Sequence, residues 1–196
     1  MIFDRGVLQE RLAVLPSGAQ VLFGLLCAER AVACCWAFGK KEGWDVGAFY
    51  RGCDFVFEHV STESSMDPEQ LNELVGELED AIPHSDEFGY PLATQAQSGM
   101  LALLYCLEFW KSGDLDNVVN AAGSVVDALD NYEYFVQKRL AGRAESPTEY
   151  ELLDREIRWQ IDCISTLAGE TLPGYTLSLR VRNRAYAIPP AVDAET

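Results

Sequence analysis

The chain has 196 residues, 48% of them hydrophobic and 23% charged, which is enough apolar material for one buried core and excludes a disordered chain. Its formal net charge of −16 sits in one place: Gly52 to Gln137 carries seventeen acidic residues and one base, Lys111, while the remainder has fourteen of each sign. Nucleic-acid binding needs clustered Lys and Arg to neutralise phosphate and is excluded by this composition; a basic partner is favoured.

No basic segment precedes an apolar run and a small-residue cleavage site, and the apolar stretch 21–38 is interrupted by Glu29 and Arg30. Neither a signal peptide nor a membrane span is expected, which points to the cytoplasm. The six cysteines, Cys27, Cys34, Cys35, Cys53, Cys106 and Cys163, show no C-x-x-C spacing and lie in apolar stretches, as buried thiols in a reducing compartment do.

In chain order, the apolar spacing predicts a first short helix from Asp4 to Leu15, halted by Pro16. Ser17 and Gln20 form a capping-box pattern that opens one long helix, "GAQVLFGLLCAERAVACCWAF", ended by Gly39. Asp45 caps a third helix, whose Val46, Phe49, Cys53, Val56 and Val60 step along one stripe. Asp67, followed by Pro68, opens a fourth that carries Leu71, Leu74, Val75, Leu78 and Ile82 and closes at Pro83. Its other face is nearly all acid.

The fifth helix, Pro91 to Ser112, is apolar on most faces and belongs at the centre of a bundle. Asp114 caps a sixth ending near Gly142, and the box Ser146-Pro147-Thr148-Glu149 opens a seventh ending at Gly169. The pairs Glu151/Arg155 and Asp154/Arg158 mark its exposed face. Beyond it, Tyr175, Leu177, Leu179 and Val181 alternate with polar residues, which reads as an irregular or strand-like tail, with an edge strand, an arm and a frayed eighth helix as alternatives. The expected fold is therefore all-α: a compact antiparallel bundle of about seven helices in one domain, 1–172, with a tail, 173–196, packed on it or extending from it.

The segment "HSDEFGYP" at 84–91 places His84 beside Asp86 and Glu87. An imidazole oriented by a carboxylate would be a general base; against that, Pro83, Ser85, Gly89 and Pro91 are turn formers, with Phe88 and Tyr90 available to hold the connection onto the bundle. The turn is the better reading, because no nucleophile or metal ligand is spaced to cooperate with His84. Zinc-type Cys/His pairs, Glu-x-x-His on two helices, phosphate-binding glycine loops, H-E-x-x-H and G-x-S-x-G are all missing from the sequence. No catalytic residue, metal or cofactor is assigned, and a non-enzymatic role is expected. Cys34-Cys35 reads as two core-facing or groove-facing thiols rather than a reactive pair.

Two clusters remain. Glu29, Arg30 and Glu108 interrupt apolar helices and predict a buried polar cluster, either an ion pair that fixes helix register or a polar pocket between helices two and five. Glu58, Glu63, Asp67, Glu69, Glu73, Glu77, Asp80, Asp86 and Glu87, together with Glu79, fall within thirty residues containing no base. Like charges at i,i+4 weaken a helix by ~0.2–0.5 kcal/mol per pair, so their concentration suggests a surface that meets a cationic partner.

Taken together, "CAER" of the second helix, "AIPHSDEFGYPLATQA" with the following "LALLYCLE", and "EIRWQIDCI" resemble a YjaG-like bacterial family of unknown function, over roughly residues 8–170. The resemblance implies an all-α fold, a bacterial cytoplasmic origin and a hinge between helices at Ile82 to Pro91. It brings no catalytic residue, and the tail departs from the helical end such a family has. The functional expectation is a protein-binding inhibitor of the immunity or antitoxin type, whose acidic face blocks the basic cleft of a toxin acting on nucleic acid. The alternatives are a small-molecule enzyme or sensor using Glu29, Arg30 and Glu108, and a housekeeping protein whose acidity serves solubility.

Overall fold

The computed structural model describes residues 2–62, 66–140, 151–169, 172–185, 188 and 190. Among them the chain forms α1 (Arg5–Ala13), α2 (Ser17–Glu29), α3 (Val32–Glu42), α4 (Gly47–Thr62), α5 (Pro68–Ala81), α6 (Pro91–Ser112), α7 (Leu115–Leu140), α8 (Glu151–Leu167) and α9 (Leu172–Ala185). A 3-10 turn, Ser85–Glu87, joins α5 to α6, and no strand occurs among the described residues. The all-α bundle expected from the apolar spacing is what the chain adopts.

Aspartates start four of these helices, each carboxylate accepting a backbone N–H that has no partner inside the helix. Asp4 takes Val7 N at 3.1 Å, Asp45 takes Gly47 N at 2.8 Å, Asp67 takes Glu69 N at 3.0 Å and Asp114 takes Asp116 N at 3.1 Å. Gly43 and Gly113 stop α3 and α6 in the left-handed conformation, at φ of 67° and 70°, where a side chain would be strained. The capping box at Ser17 does not form: Pro16 occupies the cap position, and Gln20 Nε2 instead donates to Leu12 O at 2.9 Å, tying α1 to α2.

The long second helix of the sequence reading is two helices, α2 and α3, bent by 43°. The break falls at Arg30 and Ala31, whose amides close tight three-residue turns on Cys27 and Ala28. Glu29 and Arg30 are both buried and bond to different helices, α9 and α8 respectively. The carbonyl that the break frees at Arg30 accepts Ile188 N at 2.8 Å, so the chain beyond α9 repairs the interruption. No single described helix is long and apolar enough to cross a membrane; α2 and α3 reach that length and composition only together, across the bend.

Helix α6 is central, packing along α7 and touching α2, α3, α4 and α5 on its other sides. Close approach there depends on glycine. A Cβ on Gly24 would meet Cys106, one on Gly52 would meet Leu103, and one on Gly99 would lie 2.5 Å from the Ala31 Cβ. Leu22, Phe23, Met100, Leu103 and Cys106 fill this centre with no exposure to solvent. The same apolar cluster runs on to Cys163, Ile164, Leu167 and Ile188.

The end of the sixth expected helix at Gly142 and the capping box at 146–149 lie outside the described residues. The first amides of α8 have a different partner: Glu133 Oε1 on α7 accepts Leu152 N at 2.6 Å and Leu153 N at 3.1 Å. The tail is not strand-like over 172–185; of the alternatives, the helical one forms, as α9. Its period-two apolar pattern misleads because polar side chains make the inward contacts: Arg180 and Arg184 reach Glu29, and Asn183 reaches Leu26 O. Leu177 and Val181 point outward, 63% and 62% exposed.

Candidate functional site: an acidic groove and a buried charge network

The amphipathic helices α4 and α5 pack their apolar stripes together and leave a groove between their outer faces. This groove, of about 400 Å³, is lined by Asp54 and Glu58 from α4 and Glu73 and Glu77 from α5, over a floor of Phe55 and Leu74. Of these four carboxylates, Asp54 accepts Arg180 Nη2 at 2.6 Å and Glu77 accepts Arg51 Nη2 at 2.7 Å. That hydrogen bond pushes Arg51 above its ordinary value. Both partners are more than half exposed, so the pair adds little stability and the groove remains acidic.

Of the remaining sequence candidates, Asp67 and Glu69 are exposed at the start of α5, Asp80 is exposed near its end, and Glu63 lies outside the described residues. Asp86 and Glu87 are exposed on the 3-10 turn. Asp86 lines a separate hollow of about 380 Å³ with Tyr90, Asn131 and Tyr134. The eight described carboxylates of that set therefore do not all line one groove. Glu58, Glu73 and Glu77 share the groove, and Asp54 and Arg51 join them without having been singled out in the sequence.

The 84–91 segment is built as a clasp. Phe88 stacks edge-on against Phe38 and Trp44, with ring centroids 5.0 and 5.8 Å away, and Trp44 Nε1 donates to Ala81 O at 2.8 Å. Gly89 turns the chain at φ 66°, the Tyr90 hydroxyl donates to Glu42, and Lys41 Nζ sits 3.8 Å from the Tyr90 ring centre. His84 is exposed beside this aromatic contact.

Glu29, Arg30 and Glu108 do not meet. Glu108 is on the surface, paired with Lys111 at 3.2 Å, one turn away on α6. Arg30, 2% exposed, donates to Glu156 Oε2 from Nε at 2.8 Å and from Nη2 at 2.6 Å, while the Trp159 ring covers its guanidinium at 4.6 Å. Glu29, with no exposure, accepts Arg180 Nε at 2.5 Å and Arg184 Nη2 at 2.7 Å through one oxygen. Arg180 also reaches Asp54 at 2.6 Å, and so connects this network to the rim of the acidic groove. The polar pocket expected between the second and fifth helices is replaced by the close α2–α6 packing at Gly24 and Cys106.

The partners on α8 and α9 escaped sequence reading, although Glu156/Gln160 and Arg180/Arg184 each carry the i,i+4 spacing that places two side chains on one helix face. All six cysteines are buried and free. Burial pushes the thiols of Cys34, Cys106 and Cys163 up to about 12 and raises those of Cys27, Cys35 and Cys53 as well, which removes their nucleophilic form at neutral pH. Among the described residues, no three Cys, His, Asp or Glu side chains gather in a metal-ligating arrangement.

Fold and site together define an all-helical bundle with an acidic groove on one side and a partly buried ion-pair network beside it. Its architecture is similar to that of a DUF416 family protein from Shewanella baltica OS155, known from a crystal structure, with a TM-score of 0.73 over 89% of this chain and 92% of that one. At 13% identity, that likeness concerns the fold. No protein-family model matches the sequence, and no curated protein matches it.

Proposed function

We propose that the chain is a non-enzymatic, protein-binding bacterial protein of the cytoplasm, an immunity- or antitoxin-like inhibitor that presents its α4–α5 groove to a basic partner. The observation that carries this reading is the placement of Asp54, Glu58, Glu73 and Glu77 around one groove, four carboxylates against the two arginines, Arg51 and Arg180, that reach it. Carboxylates held on two packed helices repel each other when the surface is free, and a cation entering the groove relieves that repulsion. A toxin that acts on nucleic acid has a cleft of the matching sign, and steering between opposite charges gives fast association. Membership of a YjaG-like family is part of the same proposal, supported by the 81–96 segment and by the fold shared with the DUF416 protein.

The test is affinity capture from the protein's own host with wild-type chain and with Glu58→Lys/Glu73→Lys/Glu77→Lys, each washed at low and high salt. The reading expects a basic protein that is held by the wild type at low salt, released at high salt and not captured by the variant. Equal capture by a folded variant would rule out the groove as the contact surface.

A further inference from the structure

The cleft between α2, α8 and α9 contains an acceptor that the chain leaves unsatisfied. Asn183 is 3% exposed, and its Nδ2 donates to Leu26 O at 2.8 Å. That bond fixes the amide orientation, since the flipped amide would set two oxygens against each other. Its Oδ1 is left buried without a hydrogen-bond partner. Asn183 lines a half-open cavity of about 190 Å³ whose walls include Leu26, Cys163 and Leu179, with Trp159, Asp162 and Arg182 also contributing.

We propose that this cavity binds a small neutral molecule in which an N–H lies beside a C=O, a lactam or carboxamide group on a compact apolar body. The N–H goes to Asn183 Oδ1, where it supplies the missing donor. The carbonyl faces the Arg182 guanidinium, which has five N–H groups and serves more than one acceptor. Asp162 and Arg182 carry opposite charges at the same cavity, which favours a ligand without net charge. Size agrees: a dry protein cavity of about 150 Å³ holds a benzene ring, so this one takes a six-membered lactam. None of the residues lining it belongs to the α4–α5 groove, so this site stands apart from the proposed partner surface.

The experiment titrates the full chain with δ-valerolactam and with N-methyl-δ-valerolactam, followed by ligand-observed saturation-transfer NMR. The expected result is saturable binding of δ-valerolactam and binding of the N-methyl compound weaker by about tenfold or more, because methylation removes the one hydrogen Asn183 lacks. Thr166→Phe fills the cavity from its edge and leaves the Asn183–Leu26 bond in place; it should abolish lactam binding with an unchanged circular dichroism spectrum. Equal binding of the two lactams, persistence of binding in folded Thr166→Phe, or no saturation by δ-valerolactam up to tens of millimolar would overturn the proposal. The lactam comparison needs only the wild-type chain, so it decides the question even if the variant does not fold.

Discussion

Arg30 Nη2 lies 2.6 Å from Glu156 Oε2, with the two side chains 2% and 0% exposed. Both charges have left water, and Glu156 Oε1 also accepts Gln160 Nε2 at 3.3 Å. Taking such ions out of water costs about as much as their attraction returns, so the pair as a whole contributes little, while either charge alone is strongly unfavourable. Arg30→Met should therefore cost about 3–5 kcal/mol, and the double variant Arg30→Met/Glu156→Leu should recover most of that loss. Urea denaturation of the wild type, both single variants and the double variant measures this directly. A double variant no more stable than Arg30→Met would show that the surrounding packing, rather than the orphaned charge, sets the cost.

The docking of α9 depends on a different carboxylate. Arg180 and Arg184, one turn apart, both bond to Glu29 Oε1, and the Phe57 ring lies 4.4 Å from the Arg180 guanidinium. The outward-facing Leu177 and Val181 contribute little apolar burial, so charge and stacking contribute much of the attachment. Arg180→Met is expected to raise amide hydrogen exchange in α9 by at least about tenfold while leaving α6 and α7 protected, the signature of local opening. Uniform faster exchange across the bundle would instead mean that α9 belongs to the global folding unit.

These two arginine contacts also mark where sequence reading stopped. The caps at Asp45, Asp67 and Asp114 follow local rules that involve only a few neighbouring residues, and these helix starts are legible from them, whereas the stop expected at Gly39 falls at Gly43. The acidic α5 face was legible for the same reason: charge and periodicity are both written along one segment. The division of α2 from α3 was not, because Glu29 and Arg30 turn toward partners 126 to 155 residues away in the chain. Glu108 shares with them an apolar run in the sequence, yet its place on the helix turns it outward to Lys111. The α9 helix was obscured because it buries Arg180 and Asn183 and exposes Leu177 and Val181, the reverse of the pattern by which periodicity is recognised.

Glycine has opposite roles on two helices, and a pair of substitutions separates them. At Gly99 a Cβ would stand 2.5 Å from Ala31 Cβ and 3.2 Å from Cys35 Sγ, so Gly99→Ala forces α6 away from the α2–α3 break. Such overpacking costs about 1–3 kcal/mol, only partly offset by alanine's better helix propensity. At Gly76, within α5, nothing lies within 4 Å of the added carbon. Gly76→Ala should raise stability by roughly 0.5–1 kcal/mol through propensity and the less flexible unfolded chain. Thermal melts should therefore move in opposite directions; a loss at Gly76 would show that α5 needs its flexibility there.

Alkaline pH tests the burial of the thiols. The ordinary thiol value is 9.0, and Cys34, Cys106 and Cys163 stand at about 12 in the folded chain, with desolvation the first cause at each. Desolvation also raises Cys27, Cys35 and Cys53. Between 9.0 and about 12 the unfolded chain releases thiol protons that the folded chain retains, so the unfolded state binds fewer protons and stability falls as pH rises. The stabilisation is complete below 9.0 and is lost on the way to 12. Each thiol contributes about 1.4 kcal/mol per pH unit in this window, so six together change stability by about 8 kcal/mol per unit, against a total of roughly 5–15 kcal/mol for an ordinary domain. Cooperative loss of helical circular dichroism is therefore expected between about pH 10 and 11, together with release of all six thiols to a disulfide reagent that reaches none of them at pH 8. Cys106→Ala, which removes one of the six, should make the pH dependence shallower by about one sixth; a chain that stays folded well above pH 11 would show that the thiols ionise in place.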